Sequence, residues 1–247
     1  MRALIVELNG MAEKLGCVVF HDGGAYEHVT VVFAGNVERF AMLSVARYLD
    51  GPVIYFQDLE SPWYQGSRVL PDLDAVCRDI LLPEIGSARA TFFGQSSGAY
   101  AALVASSYVK GASVIACAPQ TFSDSAAKAG FAFVGIRALS TPDDLTDVRD
   151  LLARNPDDTA FRAVIIAAGE VGNPADKHFW MDYLHVLRLR DALNTFIFVI
   201  NANNHAIVHH NADRFARLLE TFVRSSGGSV ADRRSTISSL VPTLVPA

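Results

Sequence analysis

The stretch Ala90-Thr91-Phe92-Phe93-Gly94-Gln95-Ser96-Ser97-Gly98 decides the fold of this chain. It ends in a G-x-S-x-G motif, in which a serine sits on a sharp turn between a buried strand and a helix. The apolar run before the motif is typical of such a strand, and the small residues from Tyr100 to Ala105 favour a helix after it. Glycine is needed at positions 94 and 98 because the backbone segments before and after the serine come close together. The alternative interpretation is an ordinary Gly/Ser-rich loop between a strand and a helix.

Composition places the chain among well-packed globular proteins. Its 247 residues are 51% apolar and 19% charged, which fits one large α/β domain or two small ones. The net charge of −5 and the lack of a basic stripe argue against a nucleic-acid partner. The N-terminal apolar run is too short for a signal peptide, and no run approaches the ~18 apolar residues of a membrane span. We therefore expect a cytoplasmic protein with no membrane partner.

The cysteines do not suggest a disulfide framework or a metal site. Cys17, Cys77 and Cys117 are odd in number and scattered, and each lies in an apolar run. Such cysteines are typical of buried structural thiols.

Short apolar, β-branched runs alternate with longer helical patterns along most of the chain. The predicted strands are Ala3–Leu8, Cys17–His21, His28–Phe33, Val53–Gln57, Ala90–Phe93, Ser113–Cys117, Arg162–Ala168 and Thr195–Asn201. The predicted helices are Val37–Leu49, Leu73–Leu82, Ser97–Val109, Asp143–Ala153, Asp176–Leu187 and Ala212–Arg224.

This order of elements predicts an α/β fold. The first three strands follow one another without helices, so we expect them to pair as a meander. Later strands alternate with helices, which predicts right-handed crossovers and a parallel sheet with helices on both faces. An eight-stranded sheet that begins antiparallel and turns parallel is the α/β-hydrolase arrangement, and the G-x-S-x-G turn follows the fifth strand, where that fold places it.

The sequence predicts one domain, over residues 1–224, with a small cap and a C-terminal tail. The cap would occupy about residues 118–160, between the sixth and seventh predicted strands. The tail, residues 225–247, begins as a Ser/Gly-rich linker and continues as an apolar segment whose prolines favour an extended chain. We expect the tail to pack on its own domain or on a second subunit, in a homodimer that exchanges tails.

A serine hydroxyl becomes a good nucleophile only when a base takes its proton, so Ser96 needs a histidine within hydrogen-bond reach. In this fold the histidine lies in the loop after the last strand, and His205 has that position. His209 and His210 follow about one turn too late. The three histidines also suggest a metal site, but no H-E-x-x-H glutamate or third carboxylate accompanies them. We therefore expect neither a metal nor another cofactor.

The acid that would orient the histidine is ambiguous. It should follow the seventh predicted strand, where we predict Asp176 as the acid, with Glu170 as the alternative. Asp176 is also a residue type favoured at the start of a helix, whereas Glu170 lies nearer the strand end and has the longer reach. A third alternative is a Ser-His dyad supported by Asn173 or by water.

The remaining candidates would hold the substrate. The backbone N–H of Ser97 and that of Asn36, in the turn after the third predicted strand, would stabilise an oxyanion. Gly35 allows that turn to be tight. We expect the substrate pocket to include Gly35 and Gln95, with Trp63 and Tyr64 as a wall; the alternative for these two aromatic residues is ordinary packing.

Several motifs resemble one family. Residues 92–103, F-F-G-Q-S-S-G-A-Y-A-A-L, resemble the F-x-G-x-S-x-G-x-Y-A-A-L turn of small α/β-hydrolase-like proteins associated with polysaccharide biosynthesis and accessory secretion. V-V-F-A-G-N at 31–36 and N-N-H-A-I-V at 203–208 are similar to further blocks of that family. The resemblance implies catalytic roles for Ser96 and His205. The chain departs from the family at Asn173, where an acid is expected.

These observations predict a cofactor-free serine hydrolase that cleaves a carboxylic ester or thioester of a small-molecule acyl substrate. An acyltransferase would use the same acyl-enzyme and differ in whether water or an alcohol accepts the acyl group. A third hypothesis, supported by the ambiguous acid, is a non-catalytic hydrolase-like domain that binds a small molecule or a partner.

Overall fold

A seven-stranded sheet forms the centre of the computed structural model, which describes residues 2–11, 14–20, 26–35, 42–61, 63–122, 144–155, 159–169 and 177–244. The strand order is β1-β3-β2-β4-β5-β6-β7. The strands are β1 (Cys17–Phe20), β2 (His28–Phe33), β3 (Val53–Phe56), β4 (Arg89–Gln95), β5 (Ser113–Cys117), β6 (Phe161–Ala167) and β7 (Thr195–Ile200).

Helices precede, connect and follow the strands. They are α1 (Arg2–Gly10), α2 (Leu73–Ala75, continued by a π-helical stretch Val76–Leu81 and by Leu82–Ile85), α3 (Ser97–Ala105), α4 (Val148–Ala153), α5 (Lys177–Leu187), α6 (Ile207–His210), α7 (Ala212–Ser225) and α8 (Val230–Leu240). Short 3₁₀ helices span Leu43–Ala46 and Val241–Leu244.

The predicted α/β class with a mostly parallel sheet is confirmed. Strand β1 is antiparallel to β3, and every other neighbouring pair in the sheet is parallel. Strands β5 and β6 are buried at every residue, as expected of parallel strands covered on both faces. Side chains divide between the two faces: Val31 and Phe92 belong to one apolar cluster, whereas Val32 and Phe93 belong to the other.

The first predicted strand, Ala3–Leu8, is wrong, because these residues lie in α1. A short apolar run is compatible with a strand or a helix, and its periodicity alone does not separate the two. In the helix, Leu8 is buried while Val6 remains 68% exposed, so these two apolar side chains lie on different faces of α1. The sheet of the described residues therefore has seven strands instead of eight, and the G-x-S-x-G turn follows β4.

The predicted meander of the first strands is also wrong. Strand β1 pairs with β3 and not with β2, which lies between β3 and β4 and is parallel to both. Parallel neighbours require a crossover connection, and the segment between β2 and β3 is long enough to supply one. The predicted cap falls largely on residues 123–143, which lie outside the described residues.

The C-terminal segment is helical, whereas the sequence suggested an extended chain. Helix α8 begins at a capping box: Asp232 N–H donates to Ser229 Oγ, and the Asp232 carboxylate accepts from Ser229 N–H. Ile237, Val241 and Leu244 are buried in the apolar cluster beneath α7. The S-x-x-D pattern at 229–232 is the sequence signal for this helix start.

We predict that Ile237→Ala lowers the free energy of unfolding by about 2–5 kcal/mol, because it leaves a cavity beneath the terminal helix. Ser238, the exposed neighbour in α8, supplies the matched control, and Ser238→Ala should change stability by less than about 0.5 kcal/mol. Chemical denaturation of both variants measures the difference. Equal stability of the two variants would show that α8 does not contribute to the core.

Candidate active site

Ser96 occupies a strained turn between β4 and α3. Its φ of 57° and ψ of −122° lie in a region that residues other than glycine rarely adopt. Its backbone N–H donates to the carbonyl of Cys117 at the end of β5, at 2.8 Å. Its own carbonyl accepts from Ala99 N–H and Tyr100 N–H in the first turn of α3, at 3.0 and 3.1 Å. The strained conformation is thus held by the neighbouring strand on one side and the helix on the other.

Three glycines make this turn sterically possible. A Cβ atom at Gly94 would lie 2.2 Å from the carbonyl oxygen of Gly98. A Cβ atom at Gly98 would lie 2.2 Å from the carbonyl oxygen of Phe33 at the end of β2. A Cβ atom at Gly35 would lie 2.7 Å from the carbonyl oxygen of Gln95. The obstacles are all backbone atoms, so no side-chain movement would relieve the clashes.

His205 lies beside Ser96. It belongs to the loop between β7 and α6, and its Nε2 is 2.9 Å from Ser96 Oγ. The His205 side chain is 15% exposed, so the pair is accessible from one side. Both residues follow the carboxyl ends of parallel strands, which meet at the same edge of the sheet and form the usual ligand crevice of such sheets.

The carboxylate that contacts His205 is Asp182. Its Oδ1 lies 2.7 Å from His205 Nδ1, and the Asp182 side chain is only 1% exposed. A carboxylate accepts hydrogen bonds, so it favours the tautomer with hydrogen on Nδ1 and leaves Nε2 free to accept the Ser96 hydroxyl proton. The three side chains form a continuous hydrogen-bonded chain with Ser96 at one end and Asp182 at the other.

Sequence reasoning missed Asp182. The residues predicted to orient the histidine follow β6 directly, and Glu170, Asn173 and Asp176 all lie outside the described residues. Asp182 lies farther along, on the buried face of α5 that also carries His185 and Val186, and Leu189 just after the helix is buried as well. This i, i+3, i+4, i+7 spacing is typical of the buried face of a helix, and a carboxylate on such a face is the sequence signal that marks Asp182 as a candidate.

The turn of α5 that carries Asp182 is anchored to the loop after β5. Thr121 N–H donates to His185 Nδ1 at 2.9 Å, and Thr121 Oγ1 donates to the carbonyl of His185 at the same distance. The Phe122 ring packs on the His185 ring, with centroids 4.6 Å apart. Ser96 N–H donates to the carbonyl of Cys117, the last residue of β5. Strand β5 and the loop after it therefore contact both the serine turn and the helix that carries Asp182.

Two residues expected to contact the substrate have other partners. The Gln95 side chain accepts through Oε1 from Val208 N–H at 2.7 Å, so its carboxamide oxygen is turned toward the histidine loop. Tyr64 is 1% exposed, and its hydroxyl lies 2.8 Å from the carbonyl oxygen of Ala34 and 3.0 Å from that of Phe56. Tyr64 thereby joins the ends of β2 and β3, which corresponds to the packing alternative. Trp63 beside it is buried as well.

The oxyanion candidates are only partly described. Ser97 is the first residue of α3, where backbone N–H groups have no acceptor within the helix. Asn36 lies outside the described residues. Gly35, the residue before it, is described, and a Cβ atom there would lie 3.5 Å from Ser96 Cβ. The chain after β2 therefore passes directly beside the serine.

Cys117 and the histidines that follow His205 lie outside the contacts between Ser96, His205 and Asp182. Burial raises the pKa of the Cys117 thiol well above its usual range, which keeps it protonated. His209 and His210 are exposed, and His210 Nε2 lies 2.9 Å from Asn204 Nδ2. Within the described ranges, no group of three His, Cys, Asp or Glu side chains is placed to hold a metal ion. Nor do the described helices include one long and apolar enough to cross a membrane.

A cavity of about 290 Å³ lies at the opposite edge of the sheet. Its lining includes His28 and Arg89, the first residues of β2 and β4, together with Arg224 of α7. Both arginines are paired with acids, since Arg89 lies 3.6 Å from Glu27 and Arg224 lies 2.9 Å from Glu220. Because Ser96 follows the carboxyl end of β4, this cavity is separate from the Ser96 site.

Comparisons with known proteins identify solved structures of the same architecture. MenH from S. aureus is 14% identical with a TM-score of 0.51, over 86% of this chain and 99% of MenH. LpqC, a poly(3-hydroxybutyrate) depolymerase from Bordetella parapertussis, is 14% identical with a TM-score of 0.51, over 89% of this chain and 87% of LpqC. A structure from work on carboxylesterases of the thaumarchaeon Nitrososphaera gargenis is 11% identical with a TM-score of 0.52, over 85% of this chain and 95% of that one. No protein-family model and no curated protein matches the sequence.

We predict that Gly98→Ala lowers the free energy of unfolding by about 3 kcal/mol or more, at the upper end of overpacking effects, because the new methyl group meets the backbone of β2. Gly10→Ala is the matched control, since a Cβ atom there meets nothing within 4 Å. Thermal and denaturant unfolding measure both. If the two variants are equally stable, the close approach at Gly98 is not a constraint.

Proposed function

We propose that this chain, which has the α/β-hydrolase fold, is a serine hydrolase that cleaves a carboxylic ester or thioester. The observation that carries the proposal is the chain of contacts from Ser96 Oγ to His205 Nε2, at 2.9 Å, and from His205 Nδ1 to Asp182 Oδ1, at 2.7 Å. This is the geometry of a nucleophile, a base and an orienting acid.

In the first step, Ser96 Oγ attacks the carbonyl carbon of the substrate while His205 Nε2 accepts the hydroxyl proton. The imidazolium formed is stabilised by Asp182, whose carboxylate is buried and therefore weakly screened by solvent. Collapse of the tetrahedral intermediate breaks the bond to the leaving alcohol or thiol, which takes the proton from His205. The acyl group remains on Ser96.

The negative oxygen of the intermediate needs hydrogen-bond donors that are already in place. We assign one to the backbone N–H of Ser97, at the start of α3. The second is Asn36 N–H, which is supported by the close passage of Gly35 beside Ser96. Donors that are fixed before the reaction stabilise the charge that develops on this oxygen, so both N–H groups would lower the barrier.

Water completes the reaction in a hydrolase. His205 removes a proton from the water, the hydroxide attacks the acyl carbon, and Ser96 leaves with the proton returned. An acyltransferase would admit an alcohol at this step, with the same residues in the same roles. The non-catalytic alternative depended on the lack of a clear acid, and the buried carboxylate of Asp182 supports the catalytic proposal instead. Cytoplasmic location and a homodimer through the C-terminal tail stay predictions.

We predict that Ser96→Ala abolishes labelling by a fluorophosphonate probe, which requires an activated serine, and removes esterase activity with a thermal midpoint near that of the wild type. Ser107→Ala, in the turn that follows the end of α3, should be labelled like the wild type. In-gel fluorescence and a melting curve measure both properties. Labelling of Ser96→Ala at the wild-type level would refute the assignment of the nucleophile.

We predict that Asp182→Asn lowers kcat by about 10³–10⁴-fold, because the imidazole loses its orientation and its compensating charge. Asp176→Asn and Glu170→Gln should each stay within about threefold of the wild type. Steady-state kinetics on a p-nitrophenyl ester measures all three. A severe loss in either of the latter variants, with Asp182→Asn active, would move the acid to that residue.

A further inference from the structure

The Gln95 side chain connects the serine turn to the histidine loop. Gln95 is the last residue of β4 and directly precedes Ser96. Its Oε1 accepts a 2.7 Å hydrogen bond from the backbone N–H of Val208, which is 113 residues away in sequence. The bond therefore joins the element that carries the nucleophile to the element that carries the base.

Val208 is a position where a helix needs an external acceptor. It is the second residue of α6, and N–H groups of the first helical turn have no intrahelical partner. The residue before a helix commonly supplies a side-chain oxygen for this purpose. Here that residue is Ala206, which has no such oxygen, and no side-chain cap is present at this end. Gln95 supplies the missing acceptor from another part of the chain.

His205 is held by the same turn. The His205 carbonyl accepts a hydrogen bond from Ile207 N–H at 2.9 Å. The next N–H along the chain, that of Val208, donates to Gln95. On its other side, Asn204 Oδ1 accepts from Ala206 N–H at 2.8 Å, which closes a local turn around His205. The local turn sets the shape of the loop. Among the hydrogen bonds named here, only the one from Val208 N–H to Gln95 connects this loop to β4.

We propose that Gln95 is a positioning residue, which places the His205 imidazole within hydrogen-bond distance of Ser96 by capping α6. This inference rests on the proposed serine hydrolase function. Proton transfer depends steeply on this distance, and a displacement of about 1 Å costs on the order of 100-fold in rate. The sequence had suggested a substrate contact for Gln95, which would affect substrate binding rather than the proton transfer.

The two roles differ in which kinetic constant they change. Gln95→Met keeps the length of the side chain but lacks a good acceptor, whereas Gln95→Glu keeps an acceptor oxygen. For a positioning role we expect Gln95→Met to lower kcat and the rate of fluorophosphonate inactivation by about 10–100-fold, with KM within about threefold of the wild type. Gln95→Glu should restore both rates to within about fivefold. Gln65→Met, at an exposed glutamine, is the matched control and should behave as the wild type.

A second measurement reports on the bond itself, independently of activity. Amide hydrogen exchange of Val208, followed by NMR, should be faster in Gln95→Met than in the wild type and Gln95→Glu, because the N–H loses its acceptor. If the wild type is not labelled by the probe, the proposed function fails, and the exchange rate alone decides whether Gln95 caps α6. In a labelled wild type, a raised KM with unchanged kcat in Gln95→Met overturns the proposal. Wild-type rates in Gln95→Met, or a Gln95→Glu variant as slow as Gln95→Met, overturn it as well.

Discussion

The close approach of β2, the serine turn and α3 is the constraint on which the site depends. Gly98 lies against the backbone of Phe33, and Gly94 lies against Gly98, so that Ser96 is forced into a conformation with φ of 57°. Strain of this kind costs about 1–3 kcal/mol and persists only where the surroundings fix it. Here the parallel pairing of β4 with β2 and β5 provides that support. The strained turn places the Ser96 hydroxyl just beyond the carboxyl end of β4, within hydrogen-bond distance of His205.

Burial is greatest at the Asp182 end of the hydrogen-bonded chain. Asp182 is almost fully buried, His205 is partly exposed, and Ser96 faces the accessible side. Burying a carboxylate costs free energy unless hydrogen bonds and an opposite charge compensate for the lost solvation. The imidazolium formed during the reaction would provide a hydrogen bond and a positive charge. In the proposed reaction the arrangement is therefore more favourable in the transition state than in the resting state. That difference is what accelerates a reaction.

The sequence predicts the parts of the fold that depend on local pattern and chain order. The strand ends that place Ser96 and His205 at one edge follow from the apolar runs before them, and the structure brings these two side chains together. Asp182 could not be ranked in the same way, because its contact with His205 depends on the rotation of α5 about its axis. The sequence does not determine the secondary structure of Ala3–Leu8 either, since an apolar run of that length fits a helix or a strand. Gln95 illustrates a further limit, because its acceptor role depends on the missing cap at Ala206, far along the chain.

The central claim is that Ser96, His205 and Asp182 act as one catalytic unit with backbone donors at Ser97 and Asn36. A crystal structure of the protein after reaction with a phosphonate ester tests it most directly, because the bound phosphonyl group mimics the tetrahedral intermediate. We predict phosphorus bonded to Ser96 Oγ, one phosphonyl oxygen within hydrogen-bond distance of Ser97 N–H and Asn36 N–H, and His205 still bonded to Asp182. Phosphorus on another residue, or a phosphonyl oxygen that points away from both N–H groups, would contradict the account.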